Sequence, residues 1–129
     1  MKQKIASYGA IIENGKVLLL HRIKPDVWEF PGGRIEYAED PADTARREVE
    51  EETDLKVEVL GMLDVGSIVR PDGMHEIVLV YKCKRIEGEV GLSPEHSEYR
   101  WVSFDDLKSI KNLATSVISV MDKLKEELE

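Results

Sequence analysis

The apolar residues of this chain fall into short runs separated by turn-forming residues. Residues 7–12 and 16–20 are apolar and rich in β-formers, with Asn14-Gly15 between them. Both turn residues tolerate φ > 0, which a two-residue hairpin loop requires, so the pattern predicts two antiparallel strands. Residues 24–33 hold two prolines and two glycines and read as a loop. Asp40-Pro41 predicts a helix start, because Asp can cap free N–H groups and proline suits the first helical position. Ala42, Ala45 and Val49 follow at helical spacing as a narrow buried stripe, in a helix running to about Thr53. Residues 56–63 and 64–69 read as strands, Pro71-Asp72-Gly73 as a turn, and residues 74–84 as a strand pairing back across it. Residues 87–97 form a polar loop, 99–102 a short strand, 104–107 a helical turn and 116–128 an amphipathic last helix. Val117, Val120, Met121, Leu124 and Leu128 make the apolar side of that helix and read as core, although a homodimer interface would carry the same pattern. Strands and helices mix without strict alternation, which predicts an α/β (α+β) class: an α/β/α arrangement around a mixed sheet.

Length and composition narrow the picture. The 129 residues fit one domain, 1–129, large enough to bury a core. A hydrophobic fraction of 42% argues against disorder. No apolar run approaches the roughly 20 residues of a membrane span, and the apolar patch after the first lysines is too short for a signal-peptide core. The expectation is a cytoplasmic protein with no membrane partner. A net charge of −8 argues against a nucleic-acid duplex as partner. It still allows a small phosphorylated ligand bridged by a metal cation. Cys83 is the only cysteine, so no internal disulfide can form, and its place in a strand-like run predicts a buried structural thiol.

The least comfortable stretch is RREVEEETDL, residues 46–55. At roughly 100° per residue, Glu48, Glu51 and Glu52 fall within one arc of the helix and Glu50 points away. Like charges three or four apart repel by roughly 0.2–0.5 kcal/mol per pair. Arg46 can meet Glu50, and Arg47 can meet Glu51, at i,i+4, whereas Glu48 has no such partner. A solvated face laced with ion pairs explains part of this pattern. A hard divalent cation drawn to clustered carboxylates explains the rest. Upstream, Trp28-Glu29-Phe30-Pro31-Gly32-Gly33 leads toward the helix, and its paired glycines suggest a close backbone approach. Glu39, just before the helix, suits the positive end of the helix dipole and could bend toward the same cluster.

These residues together resemble the Nudix box. Its pattern is Gly, five residues, Glu, seven residues, Arg-Glu, an aliphatic, any residue, Glu-Glu, any residue, Gly, an aliphatic. Gly33, Glu39, Arg47, Glu48, Val49, Glu51, Glu52 and Leu55 all match, and only the last glycine departs, being Asp54 here. Glycine there would end the helix in the left-handed conformation. Asp is among the few other residues that visit it, at about 1–2 kcal/mol, so the departure touches the cap and removes no ligand. The resemblance implies a Nudix-type α/β/α sandwich with a loop–helix–loop catalytic motif, and metal-dependent hydrolysis of a nucleoside diphosphate linked to another group. It implies Glu48, Glu51, Glu52 and the Gly32 carbonyl as ligands of Mg²⁺, with Mn²⁺ as a substitute. Arg47 would orient the glutamates, and Gly33 and Glu39 would hold the motif together. The cation would neutralise the pyrophosphate and acidify water, and a carboxylate would take the water's proton. Glu51 or Glu52 is a candidate base. Where the base comes from a later loop, Glu98 is the candidate and Glu95 the second.

The Trp28–Gly33 run looks like that of MutT-type members, which convert nucleoside triphosphates, oxidised ones included, to monophosphate and pyrophosphate. Trp28, Arg34 and His96 are candidates for contact with such a small nucleotide substrate, Trp28 either by stacking on a base or simply by packing the loop. ADP-ribose or another nucleotide sugar is the alternative, for which Pro71 is a light cue. Dinucleoside polyphosphates fit less well, since Gly32-Gly33 stands where those members often carry Lys-Gly. A module that senses a nucleotide without cleaving it would be expected to lose box carboxylates, and none is lost.

Overall fold

A computed structural model describes residues 2–129. The chain folds in the order β1 (Lys2–Glu13), β2 (Lys16–Arg22), β3 (Val27–Glu29), β4 (Gly32–Arg34), α1 (Pro41–Thr53), β5 (Lys56–Val69), β6 (Met74–Glu87), β7 (His96–Val102), α2 (Phe104–Ser109), α3 (Thr115–Ile118) and α4 (Met121–Leu128). Strands β3-β2-β1-β6-β5 lie side by side, β4 pairs with β1, and β7 pairs with β2. The β1–β6 pairing is parallel and the others antiparallel, so the sheet is mixed. Ile12 faces Val17 across the Asn14-Gly15 turn, whose φ values of 50° and 74° match the left-handed turn expected for this pair.

The period-2 pattern of the strands explains the layering. Ala6, Tyr8 and Ala10 of β1, Val17 and Leu19 of β2, and Val78 and Val80 of β6 pack with Leu107, Val117, Val120, Leu124 and Leu128 from the later helices. Ile11, Leu18, Leu20, Val57 and Cys83 pack on the opposite face with Val49 of α1 and Leu55. Two apolar clusters on two faces make the α/β/α sandwich. The apolar side of the last helical segment is therefore core. Among the described residues, no helix is long and apolar enough to cross a membrane.

Four expectations need correction. The 24–33 loop contains β3 and β4, three residues each, too short to show a period. Residues 56–69 form one strand rather than two, with its register shifted at three places by bulges. The 87–97 loop is shorter than expected, since β7 already begins at His96. The last helix is broken into α3 and α4. Val120 leaves the helical region at φ −121°, ψ 18°, beside Ser119, which packs so closely on Gly66 of β5 that a Cβ there would lie 2.4 Å from its hydroxyl. The apolar spacing suits one helix or two equally, so tertiary contact decides.

Candidate functional site

Helix α1 is the frame of the site. Asp40 caps it by accepting the Ala42 N–H at 2.9 Å, and Pro41 stands at its start. Asp54 ends it at φ 61° and donates its own N–H to the Glu50 carbonyl, so the variant residue does adopt the left-handed cap. Ala45 and Val49 are fully buried beneath the helix, and Ala42 is half-buried. Gly9 of β1 allows this approach, since a Cβ there would sit 2.5 Å from a Val49 methyl.

The carboxylates divide into an outer, paired group and an inner one. Glu39 accepts from Arg47 Nε at 2.8 Å and Nη2 at 3.0 Å, and from the Thr44 hydroxyl at 2.6 Å. The Arg47 fork, with the Thr44 hydroxyl, holds the Glu39 carboxyl down at about 2. Arg47 Nη1 also donates to Glu48 at 2.8 Å and reaches Glu51 at 3.5 Å. Hydrogen bonding to Glu39 first, then Glu48, raises the already high pKa of this guanidinium. Glu48 thus has a partner after all. Helix neighbours at i,i+1 do not face each other, but the arginine lies along the helix toward Glu39 and its fork spans both acids. Arg46 pairs with Asp43 at 2.9 Å rather than with Glu50.

Glu52 is the inner member. Its residue is 5% exposed, and Oε1 accepts the Gly32 N–H at 3.1 Å. Burial raises its carboxyl to about 9, against the lowering effect of that hydrogen bond and helped by the charges of Glu48, Glu95 and Glu29. No cation of the described residues forms an ion pair with it. The paired glycines provide the close approach the sequence suggested, with ordinary φ. A Cβ on Gly33 would lie 2.8 Å from Glu48 Cδ, and one on Gly32 would lie 2.4 Å from the Tyr8 ring.

The substrate-contact candidates fare differently. Trp28 is 6% exposed, joins the core, and carries the Arg100 guanidinium 4.7 Å from its ring centroid; its main chain is bonded to Asn112 and Ala114. This burial supports the packing alternative for its ring. His96 is buried too: its side chain is fully enclosed, with Nε2 2.8 Å from Glu29 Oε2. Arg34 is exposed on β4, opposite Ala6. Glu98 is exposed on β7, opposite His21. Glu95, the second choice, pairs with Arg22 at 3.4 Å, and its charge is felt at Glu52.

Sequence reasoning passed over Glu29 and Arg22. Arg22 Nε donates to Glu29 at 2.9 Å. Burial works to raise the Glu29 carboxyl, but the hydrogen bonds from His96 and Arg22 outweigh it and hold it low. The signal was there in part, since Glu29 is the one charged residue of the Trp28–Gly33 run; its partner His96 lies 67 positions away. Cys83 is buried, and burial pushes its thiol up to about 12, as befits a structural residue.

Among the described residues, no three His, Cys, Asp or Glu side chains converge closely enough to hold a metal as they stand. The donor chemistry nevertheless fits a hard divalent cation. Three carboxylates share one helix face, and the innermost is buried without a cationic partner, its pKa raised by burial and then by its neighbours' charge.

A family model described as NUDIX domain matches residues 3–124. The chain is 32% identical over 95 residues to a MutT-like protein of Streptomyces ambofaciens, covering 74% of this chain and 60% of that protein. It is 31% identical over 104 residues to nucleoside triphosphatase NudI of Klebsiella pneumoniae (strain 342), covering 72% and 74%. The first curated relatives are longer proteins, of which the chain spans 54–60%. A crystal structure of a MutT NUDIX hydrolase from Burkholderia pseudomallei superposes with a TM-score of 0.86 at 25% identity, over 95% of this chain and 98% of that one.

Proposed function

The chain belongs to the NUDIX domain family, and from that premise we propose that it is a cytoplasmic hydrolase of the pyrophosphate bond in nucleoside diphosphate derivatives. The preferred substrate is a nucleoside triphosphate, oxidised forms included, giving nucleoside monophosphate and pyrophosphate. The observation that carries this reading is Glu52: a buried carboxylate without a cationic partner, on the same helix as Glu48 and Glu51 and bonded to the Gly32 backbone. The named activity of the NudI relative supports the triphosphate over a nucleotide sugar.

Glu48, Glu51, Glu52 and the Gly32 carbonyl would hold the cation, Mg²⁺ with Mn²⁺ as substitute. When bound, it supplies positive charge against the pyrophosphate oxygens and makes water more acidic. Arg47 ties Glu39, before the helix, to Glu48 and Glu51 within it, and so fixes their orientation. A loop carboxylate takes the proton from water as its oxygen bonds to phosphorus and the bridging oxygen departs with the other phosphate. Glu98 and Glu95 are the candidates, and Glu95, paired with Arg22, is the one whose charge also acts at Glu52.

The test is a screen of nucleoside triphosphates, oxidised nucleotides, ADP-ribose and nucleotide sugars with Mg²⁺, reading released pyrophosphate or phosphate, with Glu52→Gln alongside. Turnover of a triphosphate lost in the variant is expected. Tight nucleotide binding without turnover of any compound would replace the enzyme with a sensing module.

A further inference from the structure

Glu76 of β6 sits where the strand pattern calls for an apolar side chain. It precedes Val78 and Val80 on the same face, and both of those are fully buried core. Glu76 itself is 3% exposed, yet its hydrogen bonding is thin. The Tyr8 hydroxyl donates to Oε1 at 3.4 Å, near the outer limit of such a bond. Lys4 Nζ and Arg70 Nη1 each stand 3.9 Å from it, one at each carboxylate oxygen. These cations offset its charge from a distance without occupying its lone pairs. Buried carboxylates normally have those positions filled, so the arrangement leaves acceptors open.

The open side is a cleft of about 460 Å³ that Glu76 lines together with Gly32, Gly33 and Glu29. One end therefore meets the glutamate helix, and Tyr8, touched by Gly32, bridges toward the other. Val27, Leu113 and Ala114 add apolar wall, which suits a flat ring. A carboxylate repels phosphate and carbonyl oxygens and accepts only from donors.

Building on the enzyme reading above, we propose that Glu76 is a specificity-determining residue that accepts hydrogen bonds from an exocyclic amino group on the base of the substrate. The cleft accordingly favours amino-bearing bases (guanine, cytosine, adenine) over bases whose only donor at that edge is a ring N–H (hypoxanthine, uracil). A site built to bond a substrate N–H discriminates strongly against the analogue that lacks it, because its own buried polar group is then left unpaired.

The experiment compares kcat/KM for GTP against ITP and for CTP against UTP, in the parent and in Glu76→Gln. GTP and ITP differ only by the amino group, so the parent comparison does not depend on any variant folding. The expected parent preference is about tenfold or more for the amino-bearing member of each pair. Glu76→Gln, whose amide offers a donor as well as an acceptor, reduces that ratio by about tenfold, with the change in KM rather than kcat. Equal kcat/KM within each pair, or a preference that survives in Glu76→Gln, overturns the inference and leaves the enzyme reading standing. If no nucleotide is turned over, the enzyme reading falls; calorimetric affinities of GMP against IMP and CMP against UMP then replace the rates, and equal affinities overturn the inference.

Discussion

Replacing Glu52 by Gln should stabilise the metal-free protein while abolishing turnover, and the stabilisation should grow with pH. The Glu52 carboxyl titrates at about 9 in the folded protein, against an ordinary value of 4.5, because burial and the charges of Glu48, Glu95 and Glu29 oppose ionisation. The folded state therefore binds this proton more tightly than the unfolded chain does. The stability that proton binding contributes is complete below pH 4.5 and is lost as pH rises through about 9. Each pH unit inside that window costs about 1.4 kcal/mol, so moving from pH 6 to pH 8 costs about 3 kcal/mol at this one site. For a chain of this size that corresponds to roughly 10 °C in melting temperature. Glutamine has nearly the same shape, can still accept the Gly32 N–H, and has no such titration. Urea unfolding of parent and Glu52→Gln with a chelator present, at pH 6 and pH 8, isolates the effect because every other titrating group is shared. The gap between the two proteins should widen by about 3 kcal/mol over that range. A gap that does not change with pH would refute the reasoning, since Glu52 would then ionise as freely as an exposed carboxylate. Saturating Mg²⁺ should raise the melting temperature of the parent more than that of the variant.

Two further changes probe the helix around it. Arg47→Lys keeps the charge but loses the two-pronged grip on Glu39 at 2.8 and 3.0 Å and the reach to Glu48. The half-saturating Mg²⁺ concentration for turnover should rise about 10- to 100-fold, and an unchanged metal titration would count against an orienting role. Asp54→Gly relieves a non-glycine residue at φ 61° and should stabilise the protein by about 1 kcal/mol, read from urea midpoints, with turnover unchanged. A loss of stability would instead show that the Asp54 carboxylate, close enough to Gly91 that a Cβ there would lie 2.5 Å from it, contributes a needed contact.

What could be read in advance was local. Asn14-Gly15 and Asp40-Pro41 each carry a backbone requirement that few other residues meet, and both appear in the structure as a hairpin turn and a capped helix. The strands around Pro71-Asp72-Gly73 were legible for the same reason. What could not be read depended on residues far apart in sequence. The break between α3 and α4 follows from Ser119 meeting Gly66, and the burial of His96 from its bond to Glu29. The burial of Trp28 goes with main-chain bonds to Asn112 and Ala114, some 85 residues later. The inward place of Glu76 was not legible either, because a strand's outward and inward faces differ only by register, and that register came from its pairing with both β1 and β5.

The helix itself shows why so many carboxylates can share one element. Its two rows of acids face different problems. On the outer row, Arg47 reaches Glu36, Glu39, Glu48 and Glu51 at once, so one cation serves four anions and the fold keeps those charges at little cost. On the inner row, Glu52 is denied that remedy. Gly32 gives it a single N–H, and Arg22, a guanidinium that lines the cleft, is already committed to Glu29 and Glu95. Committing Arg22 in this way preserves the negative potential at Glu52 that an incoming cation requires. A free arginine there would have relieved Glu52 and made the bare protein more stable. Stability withheld at one buried carboxylate is thus the physical counterpart of affinity for a cation, and the two should rise and fall together in any substitution made between Glu29, Arg22, Glu95 and Glu52.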